Sequence, residues 1–272
     1  MKTRLVKDKL KRILLVLDEN KVPEFLIDSV IGLSKLLELK VELVSIIEMP
    51  ENWLVLNRNA KEKHPESKIK MRELRETLDA NLKILRLNEV NCSKRILCCS
   101  PTTPVSLNTD KQSLLLTESE NFFHAVKDDF KPIHHTIANS NCPILAINRK
   151  FNPNSLIEII LVSNYKSVHP AVVQLLDKLM IEMRTYLDLI FINTPDDFEN
   201  SDESIARIKN FISSNCLSNT RISIFNDNNL IKGIGNLVKL KSADLLCVDN
   251  FKHAQIKQIK KMDVPLLFLP KV

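Results

Sequence analysis

Residues 12–48 read RILLVLDENKVPEFLIDSVIGLSKLLELKVELVSIIE. The segment Ile13-Leu14-Leu15-Val16-Leu17 is a continuous apolar run that stops at Asp18. A run without polar alternation predicts a strand buried on both faces, as in a parallel sheet. Pro23 is pre-set for the first turn of a helix. Phe25, Leu26, Val30, Ile31, Leu33, Leu36 and Leu37 then recur at helical spacing, and 41–47 reads as a second strand. The stretch is therefore one β-α-β unit, whose crossover is expected to be right-handed.

Working outward, 66–88 predicts a helix with Ile69, Leu74, Leu78, Leu82 and Leu85 on one face. Strands follow at 95–99, 113–117 and 142–147. A helical pattern over 121–139 must kink or split at Pro132. Residues 100–112 are rich in Pro, Thr, Ser and Asn and read as loop. Asn152-Pro153-Asn154 punctuates the chain, and the pattern then restarts. Strands are expected at 157–162, 187–192, 222–225, 244–248 and 264–269. Helices are expected at 170–184, 202–214 and 229–241. RILLVLDEN (12–20) matches EIILVSNYK (158–166), and NCPILAINRK (141–150) matches DVPLLFLPKV (263–272). The chain thus reads as two tandem α/β copies, 1–150 and 151–272. Each would be a doubly wound, mainly parallel, five-stranded Rossmann-like sheet.

Composition narrows the function. The 272 residues suit two domains, and 44% hydrophobic with 26% charged is ordinary for a globular chain. Glycine is the anomaly: the chain has 3, where average usage gives about 19. Asn and Asp are expected to take the left-handed turns instead, and loops that wrap phosphate in glycine are disfavoured. The net charge of +6 is mild and interspersed with acids, so no nucleic-acid face is expected. The basic stretch from Lys2 to Arg12 reads as a solvated tail. No segment approaches a membrane-spanning apolar run, and no signal-peptide pattern opens the sequence. The 6 cysteines form no C-x-x-C pair. Together these readings predict a reduced, cytoplasmic protein without membrane contact.

The strands, helices and repeat resemble the universal stress protein family in its tandem form. HHTIANSNCPILAIN (134–148) is similar to that family's final helix and strand, and KSADLLCVDN (241–250) to its fourth strand. LIKGIGNLVKLKSADLL (230–246) resembles its third helix leading into that strand. The resemblance weakens over 100–112. Many family members bind ATP through G-x-x-G-x9-G-[ST] after the fourth strand. In the first copy the leading glycine positions fall at Glu118 and Asn121, and the later pair falls near Lys131 and Pro132. In the second copy they fall at Asp249 and Lys252, and the loop before Val264 is shorter. A carboxylate at position 118 repels phosphate. Asp18 matches the family's adenine-end aspartate, with Asn164 as its second-copy counterpart; a strand-end residue that caps the following turn is the plainer role for it.

The resemblance therefore implies a non-enzymatic stress-response or regulatory protein that has lost ATP binding and carries no cofactor. The alternative is a small-ligand or nucleotide binder of altered specificity. Its crevice would lie at the strand C-termini, lined by Asp18, Glu118, Asn121, Asn164 and Asp249. An unknown protein or small molecule would be the partner. The resemblance also implies pairing of the two copies through their final strands, with a further homodimer as an alternative. His134-His135 cannot hold a metal together, because adjacent helical rings point about 100° apart. Cys98 and Cys99 alternate faces at a strand end. Trp53 either covers a pocket or packs under 51–65.

Overall fold

The computed structural model describes residues 10–17, 22–100, 107, 109, 112–125, 132–166, 168, 170–195, 198–249, 255 and 258–269. The first copy contributes β1 (Arg12–Leu17), α1 (Glu24–Leu37), β2 (Lys40–Glu48), α2 (Arg58–Glu62), α3 (Pro65–Leu87), β3 (Cys92–Cys99), β4 (Ser113–Glu118), α4 (Ser119–Ala125), α5 (Pro132–Ala138) and β5 (Ile144–Ile147). The second contributes β6 (Glu158–Val162), α6 (Pro170–Met183), β7 (Tyr186–Asn193), α7 (Ser201–Asn215), β8 (Thr220–Asn226), α8 (Leu230–Lys241), β9 (Leu245–Asp249) and β10 (Leu266–Leu269). Pro132 opens α5, as its fixed φ and missing N–H favour. The short helix α2 lies inside the expected 51–65 loop. Most of the 100–112 loop lies outside the described residues.

The strands form one sheet in the order β3-β2-β1-β4-β5-β10-β9-β6-β7-β8. The two expected five-stranded sheets are its halves. All pairings within each half are parallel. The halves meet where β5 and β10 run antiparallel, with Leu266 opposite Ala146, Leu267 opposite Leu145 and Phe268 opposite Ile144. Pro143 and Pro265 precede these strands, so their missing N–H groups fall outside that ladder.

Each face of the sheet carries one apolar layer that runs through both copies. Ile13, Leu15, Leu116, Leu145, Leu161, Leu189 and Leu267 point to one side, under α1, α3, α6 and α7. Leu14, Val16, Leu115, Ala146, Ile160, Ile190 and Leu266 point to the other, under α4, α5 and α8. That opposition follows from strand alternation. Helices α1 and α6 pack together over the seam, where Lys178 Nζ donates to the Leu37 carbonyl at 2.8 Å. A second tie joins the exit of β5 to the entry of β10. Asn148 Nδ2 donates to Asp263 Oδ1 at 3.1 Å, and Lys150 pairs with the same carboxylate.

The glycine expectation needs correcting. Among the described residues, positive φ falls on Glu38, Asn52, Glu89, Tyr165, Arg184, Cys216, Asn219, Ser242 and Asp263, so most of these positions are neither Asn nor Asp. Glu38, Cys216 and Ser242 end α1, α7 and α8 in the left-handed conformation, and each backbone N–H still reaches a carbonyl of the last turn. That closing hydrogen bond offsets the Cβ strain. Gly32 and Gly233 serve close approach instead. A Cβ on Gly32 would meet Pro153 Cγ at 2.6 Å, so the inter-copy linker lies directly on α1.

At the N-terminal ends of the strands, Glu42 and Asp188 occupy equivalent places. Leu14 pairs with Glu42 and its repeat counterpart Ile160 pairs with Asp188. Glu42 bonds Arg12 and Arg95. Asp188 is fully buried and bonds Arg221 and Lys241, which also reach Glu158. Glu158 stands where the first copy has Arg12, and Lys241 from α8 supplies the cation that this exchange removed.

Candidate ligand crevices at the strand C-termini

In an open α/β sheet the crevice opens beyond the strand C-termini, where the strand order reverses. In this chain those points lie between β1 and β4, and between β6 and β9. The structure divides the predicted residues between them. Glu118 and Asn121 stand at the first, Asn164 and Asp249 at the second. Asp18, Glu19, Lys131 and Lys252 lie outside the described residues.

The second-copy crevice is filled by the chain itself. Asn164 is exposed, and its Oδ1 accepts from Lys166 N at 3.0 Å, a local Asx turn. Its carbonyl accepts from Arg207 Nη1 at 3.0 Å. Asp249 is buried at the end of β9 and accepts from Ser163 Oγ at 3.0 Å. Tyr165, at φ 57°, turns its side chain inward. Its hydroxyl donates to the Leu161 carbonyl at 2.7 Å and lies 3.2 Å from that of Ile190. Its ring packs on Phe211, centroids 5.3 Å apart. Burial pushes its pKa well above the usual phenol range, so it stays a neutral donor. Arg207 lies over the Phe191 ring at 5.7 Å and pairs with Glu199, which Lys166 also reaches at 3.3 Å. Ring, guanidinium and carboxylate together close the space beside Asn164.

Next to the first switch point, a cavity of about 230 Å³ opens at the ends of β4 and β5. Phe25, Phe123, Ile147 and Val264 give it an apolar floor, and Glu118, Arg149 and Lys260 stand on its rim. Asn121 lies on α4, is half-buried, and is not among the cavity's lining residues. Lys260, Asp263 and Val264 precede β10, so the second copy supplies one wall. The Lys150 hydrogen bond holds the Asp263 carboxyl below its usual range, with Asn148 adding to it. Sequence reasoning missed that wall, because it depends on the antiparallel seam. Inward-turned Tyr165 was missed as well, since nothing in SNYK marks which way the ring points.

Other predicted groups fall as follows. His134 is buried and His135 exposed, so the rings point apart as expected. His134 stacks on His124 of α4, centroids 5.3 Å apart. Among the described residues, no group of three or more His, Cys, Asp or Glu side chains is placed to hold a metal. Cys98 packs toward the α1/α3 face and Cys99 toward the other. Burial raises the thiol pKa of Cys98, although Arg75 and Lys61 oppose it, and burial alone raises that of Cys247. Thiolates are thereby disfavoured at both. Trp53 is buried under the 51–65 segment, with Lys61 over its ring at 5.6 Å.

This arrangement defines a class of protein by fold. A universal stress protein from Archaeoglobus fulgidus superposes with a TM-score of 0.65 at 10% identity, covering 95% of this chain and 96% of its own. A functionally unknown protein from Pseudomonas aeruginosa gives 0.59 at 12%, covering 96% and 92%. The cytoplasmic domain of a prokaryotic cation chloride cotransporter gives 0.52 at 12%, covering 95% of each chain. No protein-family model and no curated protein sequence matches. The chain has the universal stress protein fold over nearly its whole length. Among the described residues, no helix is long and apolar enough to cross a membrane.

Proposed function

We propose that this chain is a non-enzymatic, universal-stress-protein-like stress-response or regulatory protein that has lost ATP binding. On this reading it is built from two copies of one domain, residues 1–150 and 151–272. The observation that carries the proposal is the filled crevice beside Asn164. Tyr165, Arg207 and Glu199 pack beside Asn164, the position that the family resemblance matches to the nucleotide's base end, and this packing supports the reading. At the phosphate end, the leading glycine positions hold Glu118 and Asp249, and a carboxylate opposes a phosphate in either copy. A regulatory role suits a fold that also forms the cytoplasmic domain of a transporter. Six cysteines without a C-x-x-C pair fit a cytoplasmic setting.

The test is direct. ATP at millimolar concentration is expected to give no calorimetric heat, no rise in melting temperature and no phosphate release. A ligand that binds the native state must raise its stability by mass action. A saturable ATP-dependent rise, or steady turnover, overturns the proposal.

The first-copy cavity favours a second reading, in which that crevice binds a small molecule of another class. Thermal shifts against a metabolite panel are expected to find a ligand whose effect disappears in Glu118→Ala. A panel without any shift removes this reading.

A further inference from the structure

The second copy also holds open space away from the crevice beside Asn164. A pocket of about 400 Å³ lies two strands over, beyond the ends of β7 and β8. This volume is within the roughly 300–1,000 Å³ range of small-molecule sites.

The pocket is built on fixed polar groups. Asn193 is buried at the end of β7. Its Oδ1 accepts from Glu199 N at 3.1 Å, and its Nδ2 donates to Asn226 Oδ1 at 3.1 Å. That bond orients the Asn226 amide and leaves its Nδ2 to donate to an occupant. Asp227 N donates to the Asn193 carbonyl at 3.1 Å, tying the β8 exit to β7. Gly233 lets α8 press on this turn: a Cβ there would stand 3.2 Å from Asp227 Cβ and 3.3 Å from Ile192 Cγ2.

The lining chemistry disfavours an anion. The first free N–H groups of α8, on Ile231 and Lys232, are already accepted by Asn229 Oδ1 at 3.0 and 3.1 Å. Asp227 Oδ1 takes Asn229 N at 3.0 Å, and its carboxylate stands in the wall. Lys232 is also among the lining residues. Among the described residues, what remains is a mixture of donors and acceptors from the Asn193, Asn226 and Asn228 amides and the Thr194 hydroxyl, with one charge of each sign. Two apolar rings, Pro195 and Phe198, share the rim, and Phe198 is 76% exposed. An occupant with an apolar ring face would cover them.

We infer that this pocket is a binding site for a neutral, polyhydroxylated ring compound, a mono- or disaccharide. Hydroxyls that both donate and accept match the amide-rich wall, and the C–H face of the sugar matches the Phe198 ring. The site is separate from both crevices, with Glu199 lying between it and the one beside Asn164.

Saturation-transfer NMR and titration calorimetry on the full chain, with D-glucose, maltose and trehalose as probes, test the assignment. At least one sugar is expected to bind. Phe198→Ala, and separately Asn226→Asp, should each weaken it about tenfold, the factor that corresponds to about 1.4 kcal/mol. Asn226→Asp keeps the acceptor for Asn193 and removes the outward donor, so its melting temperature should match the parent's. Three results overturn the inference: no probe binds, Phe198→Ala binds unchanged, or inorganic phosphate or AMP binds and loses affinity in these variants.

Discussion

Cys216 ends α7 at φ 54° with its side chain exposed, and no buried contact requires a thiol there. A left-handed L-residue costs roughly 1–2 kcal/mol, which glycine does not incur. Cys216→Gly is expected to stabilise the chain by about 1 kcal/mol, after allowance for glycine's unfolded-state entropy. Urea denaturation at neutral pH measures it, and a lowered midpoint contradicts the strain argument. Tyr165 shows the opposite balance. It is left-handed as well, but its hydroxyl is buried on two carbonyls. Tyr165→Phe leaves those carbonyls without that donor and should cost about 1–3 kcal/mol. A denaturation midpoint equal to the parent's would show that the hydroxyl contributes nothing. At this scale the sequence was least legible. Asn and Asp were expected at left-handed positions because their side chains bond locally, yet helix ends here use Glu38, Cys216 and Ser242. The backbone hydrogen bond that closes each helix tolerates these residues, and it leaves no mark in composition.

Between neighbouring elements, the Asp188 cluster joins β6, β7, β8 and α8. Burial works against the charge on Asp188, but hydrogen bonds from Lys241 and Arg221 outweigh it and hold the carboxyl below its ordinary value. A group with a depressed folded pKa contributes stability above its unfolded pKa and loses it as pH falls through the folded one. Stability should therefore drop as the medium is acidified below about pH 4, the ordinary carboxylate value. Asp188→Asn should be less stable at pH 7 by about 1–3 kcal/mol, because Arg221 and Lys241 lose charge-assisted hydrogen bonds but keep Glu158. Its acid limb should be shallower. Equal acid limbs in the two proteins would place the effect elsewhere. Elements were legible wherever burial wrote a pattern. The run from Ile13 to Leu17 announced β1, and Leu74, Leu78, Leu82 and Leu85 announced the inner face of α3, although Ile69, expected on that face, is exposed and Met71 is buried there instead. Strand β3 began earlier than expected, at Cys92, because an edge strand keeps polar residues such as Ser93 and Lys94. The short helix α2 buries no residue, so no periodicity could reveal it.

The whole molecule is held across its middle by the β5–β10 ladder, two shared apolar layers and the α1–α6 contact. A protease site engineered at Asn152–Asn154 should therefore yield two pieces that still elute together from a sizing column. Their urea midpoint should be lower than the intact chain's, because dissociation now adds entropy. Separation of the pieces under native conditions would show that the linker, not the seam, holds the halves. The copy number was readable in the repeat of RILLVLDEN by EIILVSNYK. The seam was expected from the resemblance together with the aliphatic runs after Pro143 and Pro265, and those runs form the antiparallel pair. The seam also bears on how the two halves can change over generations. In a symmetric pair of identical chains, every substitution is made twice, and a residue that closes one crevice closes both. Fusion of the halves into one chain removes that constraint. Here Tyr165 packs into the end of β6 while a cavity stands beside Glu118, so one chain carries two different arrangements at the strand ends of its halves.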